Sequence, residues 1–236
     1  RRGDIDYAVE IVIDSSKDFA RSYGLKSEYW KHFDPKTHVE VVGYLKSNLK
    51  DLANHYHALY QDKRQDKAKD ANFQEASTWY REFLESFPRD PDAPGMNYQL
   101  ADVMLENKMF GEAAQEYERT AYDYPAHEKA AAAGYAAVYA HREAVKVATP
   151  ATRDTVKREI IRSSLKFADT FPMHEKAAVV LGAAADDLYE MKDYERTIAI
   201  AHRLIDQFPK AEQDVRRAAW LVAAHSSFAL EKFEDA

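Results

Sequence analysis

An aromatic residue followed by proline recurs four times along this chain, as Phe87-Pro88, Tyr124-Pro125, Phe171-Pro172 and Phe208-Pro209, with successive prolines 37, 47 and 37 residues apart. Pro88 to Pro172 and Pro125 to Pro209 are each 84 residues. A near-fixed period of this length means that one supersecondary unit is used again and again. Proline closes a helix because it lacks an N–H and its ring clashes with the preceding turn. A second anchor lies 15 residues before three of these prolines, at Phe73, Phe110 and Tyr194, each opening an aromatic-x-x-Ala/Thr element. The element returns as Phe233–Ala236, while the third copy has Lys157 in place of the aromatic.

Between the anchors the apolar spacing is helical. Phe73, Ala76, Tyr80, Phe83, Leu84 and Phe87 fall on one face, as do Tyr194, Ile198, Ala201, Leu204, Ile205 and Phe208. Only 7 glycines and 8 prolines occur in 236 residues, which argues against a turn-rich β protein and against disorder. The expected fold is all-α: antiparallel helix pairs over roughly 39–87, 94–124, 127–171 and 175–208, and a last helix over 212–230. A helix over 4–23, carrying Ile5, Ala8, Val9, Val12 and Phe19, and a loop region over 24–38 with a short Glu28–Phe33 turn precede them. The array is expected to fill 39–236, and 1–38 to be the end of a preceding repeat. The charge run Gln61–Lys67 reads as a solvated helix extension, and Ala148–Thr152 as a turn. The proline-linked aromatics, Phe208 among them, are expected to be fully buried between successive pairs.

Leu52-Ala53-x2-Tyr56, Ala76-x3-Tyr80 and Pro88, then Leu100-Ala101-x2-Met104, Ala113-x3-Tyr117 and Pro125, resemble the tetratricopeptide repeat, as does Trp220-x2-Ala223-Ala224. The resemblance covers about 39–236 and implies a right-handed superhelical solenoid of about four to five pairs. Stretches such as Tyr80–Pro94 and Tyr117–Ala131 are similar to the arrays of large bacterial cell-envelope proteins. That implies a periplasmic or outer-membrane-associated setting, the alternative being cytoplasmic. The family binds a peptide or partner protein along its concave face. Registering the copies places Lys50, Asn54 and His57 on that face, followed by Tyr98, Asp102 and Glu106. His141 and Arg142 come next, then Asp186 and Tyr189, then Leu221, His225 and Phe228. Lys50 and Asn54 match the opening half of the carboxylate clamp of chaperone-binding members, but Gln99, Ala131 and Tyr135 stand at the remaining clamp positions. The mixed aromatic and acidic lining suits an extended peptide with some positive charge.

The residues themselves exclude other classes. A formal charge of −7 disfavours binding to phosphate backbones, and no apolar run is long enough to span a bilayer. Without cysteine there is no thiolate site. His55 and His57, two apart, point in different directions on a helix and read as surface or groove residues. His127-Glu128-Lys129 and His174-Glu175-Lys176 read as helix-start structure. The run Ala130–Ala133 with Ala136, Ala137 and Ala140 reads as a close helix crossing. No catalytic, metal or cofactor constellation emerges, so the expected role is an interaction scaffold; the alternative is a non-catalytic helical domain of a larger enzyme. The first residues, Arg1-Arg2-Gly3, and the aromatic-x-x-Ala element at Phe233–Ala236 point to a fragment of a longer chain. Self-association through residues around 215–236 is a further expectation. Chelator treatment is expected to leave the melting midpoint unchanged; a drop of several degrees would reveal a histidine-held metal.

Overall fold

The computed structural model describes residues 2–231; the aromatic-x-x-Ala element at Phe233–Ala236 lies outside them. Helix makes up 79% of the structure, and no strand occurs among the described residues. The chain divides into two compact units, Arg1–Met109 and Phe110–Ala236.

The first unit holds α1 (Arg2–Tyr23), a short 3-10 helix (Glu28–Lys31), α2 (Val39–Gln61), a second 3-10 helix (Lys63–Ala68), α3 (Lys69–Ser86) and α4 (Ala93–Glu106). Each α-helix packs on its chain neighbour. The core is built from Leu45, Leu49 and Leu52 of α2, Phe73, Tyr80 and Phe83 of α3, and Met96, Leu100 and Met104 of α4, all buried. α1 is held at its second half. The Lys17 ammonium lies 2.6 Å from Glu75 of α3, and Asn48 of α2 donates to the Ser16 carbonyl at 2.7 Å. Phe19 is half-buried, but Ala8, Val9 and Val12 are exposed, so the anticipated apolar face of α1 stays largely uncovered; the Ile5 side chain lies outside the described residues. The charge run does not extend α2 as an α-helix. α2 ends at Gln61, and Asp62 accepts from the Arg64 backbone N–H to start the 3-10 turn. A short polar side chain at that point competes with the continuing ladder.

The second unit holds α5 (Phe110–Tyr122), α6 (Ala130–Val147), α7 (Pro150–Thr170), α8 (Ala177–Glu190), α9 (Tyr194–Gln207) and α10 (Gln213–Ala229). Here too each helix packs on the next, and α8 touches α10 as well as α9. A continuous core joins Val138, Phe167, Leu181, Leu204 and Val222. The anticipated turn before α7 is shorter than the sequence indicated. Thr149 is extended, with ψ 160°, and Pro150 already occupies the first helical turn, where its missing N–H costs nothing.

Phe87, Phe171 and Phe208 are C-cap residues. Each donates its N–H to the carbonyl four residues back, at 2.8, 2.8 and 3.0 Å, and leaves the helical region just before its proline. They and Tyr124 are half-buried rather than fully buried, since each lies at or just past the end of its helix, where neighbours cover fewer sides. Where one helix turns directly into the next, the device is different. Lys108 and Lys192 take left-handed φ values of 61° and 60°, and the residue after each bonds back five positions, Met109 to Met104 and Asp193 to Leu188, both at 2.9 Å.

The alanine-rich face of α6 is a close crossing. Ala133, Ala137 and Ala140 are wholly buried. At Gly134 an added Cβ would lie 3.0 Å from ring atoms of Phe167 and of Phe171, and 3.1 Å from the Tyr122 hydroxyl. Gly134→Ala is expected to destabilise by up to about 2 kcal/mol, because overpacking of about 1–3 kcal/mol outweighs a helix-propensity gain of about 1 kcal/mol. Gly43→Ala in α2 meets nothing within 4 Å and should gain about 0.5–1 kcal/mol. Urea unfolding of the two variants checks both signs.

Candidate functional site

In the first unit the face of α2 that carries Asn54, His57 and Gln61 at helical spacing meets the tip of Tyr80 from α3 and Glu106 from α4. His57 Nδ1 and the Tyr80 hydroxyl are 2.9 Å apart, and that hydroxyl lies 3.3 Å from Asn54 Oδ1. On the other side of the ring, Gln61 Nε2 lies 3.3 Å from His57 Nε2 and 2.8 Å from Glu106 Oε1. One set of donors satisfies every contact. His57 is neutral with its proton on Nδ1 and donates to Tyr80. Tyr80 donates to Asn54. The Gln61 amide donates one hydrogen to His57 Nε2 and the other to Glu106. A chain of five side chains from three helices results, in which Gln61 donates in both directions: to Glu106 on one side, and on the other to His57, which donates to Tyr80, which donates to Asn54.

The electrostatics agree with that proton assignment. Burial lowers the His57 pKa below its ordinary value, against the opposing pull of Glu106 and Asp102. Burial also raises the Tyr80 hydroxyl, with the Asp102 and Glu106 charges adding to the effect. Protonating His57 would turn Nε2 into a donor facing the Gln61 amide and bring charge toward Glu106 Oε2, now 3.8 Å away. Tyr98 is half-buried on the same helix as Asp102, and its hydroxyl is raised by burial and by that charge. Asn54 is exposed, and its carbonyl is held by Tyr80.

Of the residues that the register placed on the inner face, Asn54, His57 and Glu106 are therefore brought together, with the charge of Asp102 felt by both His57 and Tyr80. Lys50 is not part of the chain; its ammonium pairs with Asp92 at 2.6 Å. His57 is only 9% exposed, so it is a buried member of the network rather than a surface residue. Gln61 and Tyr80 are additions. Tyr80 read as core, and its ring is core; its hydroxyl still required a partner, as a buried phenol does, and that requirement was the available signal.

The remaining positions lie in the second unit. His141 is buried and its Nε2 lies 3.3 Å from Glu118, while Arg142 pairs with Asp187 at 3.0 Å. Glu118 also receives both oxygens' worth of contact from Arg162, at 2.9 Å each. Burial opposes its charged form, but the bonds from His141 and Arg162 dominate and hold the Glu118 carboxyl down at about 2. Asp186 is raised by burial and by its neighbours Asp187 and Glu190. The Tyr189 ring sits 6.3 Å from the His225 ring. Leu221 and Phe228 are exposed on α10, on an apolar stripe unlike the polar network of the first unit. His127 and His174 do structural work: the His127 ring meets the Thr120 carbonyl at 2.8 Å, and His174 accepts the Lys176 N–H at 3.1 Å. Among the described residues, no three His, Asp or Glu side chains converge as a metal ion requires, and no helix is long and apolar enough to cross a membrane.

No protein-family model matches this chain, and no curated protein matches it either.

The lowered His57 pKa fixes a pH dependence. The unfolded state binds the proton first, so the His57 contribution is complete above about 6.5 and declines as pH falls from there through the folded-state value. Burial lowers His55 as well and gives it the same sign. Urea unfolding at pH 7.5 and at pH 5.5 is therefore expected to show a loss of stability on acidification, and a smaller loss in His57→Gln. Equal losses in the two proteins would place the effect elsewhere.

Proposed function

We propose that this chain is a non-catalytic interaction scaffold that binds an extended peptide, bearing at least one Lys or Arg, across the α2–α4 face of the first unit. The carrying observation is the Asn54–Tyr80–His57–Gln61–Glu106 chain. It holds side chains from three helices in fixed positions, which lowers the entropy that binding must otherwise overcome. Asn54 offers amide donors to a peptide carbonyl. Glu106 and Asp102 supply the negative potential that a basic side chain seeks, and the half-buried Tyr98 ring adds a flat apolar surface beside them. The network suits binding rather than catalysis because the histidine is neutral, internally satisfied and unaccompanied by a nucleophile. The likeness of the aromatic-proline repeats to those of bacterial cell-envelope arrays supports an envelope setting for this scaffold. Likeness to the tetratricopeptide pattern supports reading the bound face as the inner face of a helical array.

The test is fluorescence polarisation with two labelled peptides of identical length and apolar content, one carrying Lys and Arg and the other Asp and Glu. The basic peptide is expected to bind and to weaken as salt rises. Glu106→Gln is expected to weaken it by about threefold to tenfold, the range for one partly exposed charge contact. Equal binding of the acidic peptide, or indifference to Glu106→Gln and Asp102→Asn, would overturn the assignment.

A further inference from the structure

Between α7 and the turn that joins α8 to α9 lies a cleft of about 490 Å³, within the size range of small-molecule sites. Its floor is apolar. Ile161 of α7 and Leu188 of α8 line it while only 2% and 1% exposed, and the half-buried Met191 continues it into the turn. Its rim is cationic. Arg158, Arg162 and Lys166 stand at four-residue intervals along one face of α7, and Arg196 comes from the first turn of α9. All four are exposed.

Cations gathered at one opening repel one another unless carboxylates offset them. Two carboxylates line the same cleft, and both are engaged. Asp169 pairs with Arg203 at 2.5 Å. Asp193 caps α9 by accepting the Arg196 N–H at 3.3 Å, with the Arg196 guanidinium 3.5 Å away. Arg162 is tied to Glu118 and Glu159, at 2.9 and 2.8 Å. Arg158 and Lys166 remain. Among the described residues neither pairs with a carboxylate. The Lys166 ammonium lies 3.9 Å from the centroid of the Tyr122 ring, a contact that steadies its position without neutralising its charge. The lining thus carries four cations against two carboxylates, in a chain whose formal net charge is −7. Two unmatched charges beside a low-dielectric floor concentrate positive potential inside the cleft.

We propose that this cleft binds a small soluble phosphate monoester, its phosphate held by Arg158 and Lys166 beside Arg162 and its organic body laid on the Ile161–Leu188–Met191 floor. Eight residues of helix span about 12 Å, and both side chains are long and exposed, so their heads meet an anion held midway. A phosphate monoester carries a charge of about −1.5 to −2 at neutral pH and three acceptor oxygens, which matches two cations that lack partners; a carboxylate matches only one. The guanidinium fork of Arg158 suits two of those oxygens at once. The site shares no residue with the face assigned to a basic peptide and selects the opposite charge, so it does not rest on that reading.

Titration of the isotope-labelled whole chain with phenyl phosphate, read by amide chemical shifts, tests it, with circular dichroism confirming that each variant stays folded. Saturable shifts confined to α7 and the α8–α9 turn are expected, with a Kd of about 1 mM or below. Inorganic phosphate leaves the floor uncovered and phenylacetate carries a single charge, so each is expected to bind at least about threefold more weakly. Arg158→Gln and Lys166→Gln, both exposed changes, should each weaken phenyl phosphate by about threefold. Arg153→Gln removes an exposed cation of α7 outside the cleft and should leave binding unchanged. The proposal is overturned by the absence of saturable shifts up to about 10 mM phenyl phosphate. It is equally overturned if Arg153→Gln weakens binding as much as Arg158→Gln, which would make the effect one of net charge, or if phenylacetate binds as tightly as phenyl phosphate. Capture of the chain by vesicles carrying phosphatidic acid, lost in Arg158→Gln, would overturn the soluble ligand in favour of a membrane surface.

Discussion

Everything in this molecule depends on how closely neighbouring helices can approach. Alanine and glycine at the contact lines permit that approach: Ala53, Ala101, Ala133, Ala137, Ala184 and Ala201 are all wholly buried. Close backbones leave room for large side chains only beside the crossing points, which is where Tyr80, Phe83, Phe167 and Leu181 sit. The same constraint explains the polar network. A tyrosine long enough to fill the gap between α2 and α3 carries its hydroxyl to the far edge of the core. There Asn54 and His57 of α2 meet it. The candidate site is thus a by-product of core geometry that has been furnished with hydrogen-bonding side chains.

Much of this was legible in the sequence, for physical reasons that differ by element. Helices over α3, α5, α7 and α9 were readable because proline and an aromatic anchor mark their ends and because the apolar period inside them is helical. The left-handed turns were not readable. Lys108 and Lys192 are not glycine, and nothing in their chemistry announces a positive φ; the six-residue backbone bond that stabilises each turn belongs to geometry alone. The 3-10 helix at Lys63–Ala68 escaped for a related reason, since a run of charges is compatible with α-helix and only the Asp62 side chain diverts it.

The site divides in the same way. Asn54, His57 and Glu106 were expected on an inner face from repeat register, and register fixes direction only within one helix. It says little about pairing across helices. Lys50 therefore reads as a groove residue, although a carboxylate from the loop before α4 reaches it first. His141 and Arg142 read alike in sequence yet point to different helices, one to Glu118 of α5 and the other to Asp187 of α8. Adjacent residues on a helix diverge by about 100°, so they serve different neighbours.

Within each unit the helices pack mainly on their chain neighbours, and this has a kinetic consequence. Contacts made between nearby segments need little loop closure before they begin to hold, so such topologies fold in microseconds to milliseconds rather than seconds. They also open piecemeal. A helix tied to one neighbour can detach while the rest stays in place. Around Val9 and Val12, which lie in solvent, α1 has little to lose. Amide hydrogens there exchange by local fraying, whereas those of α8, bounded by α7, α9 and α10, wait for the unit as a whole to unfold.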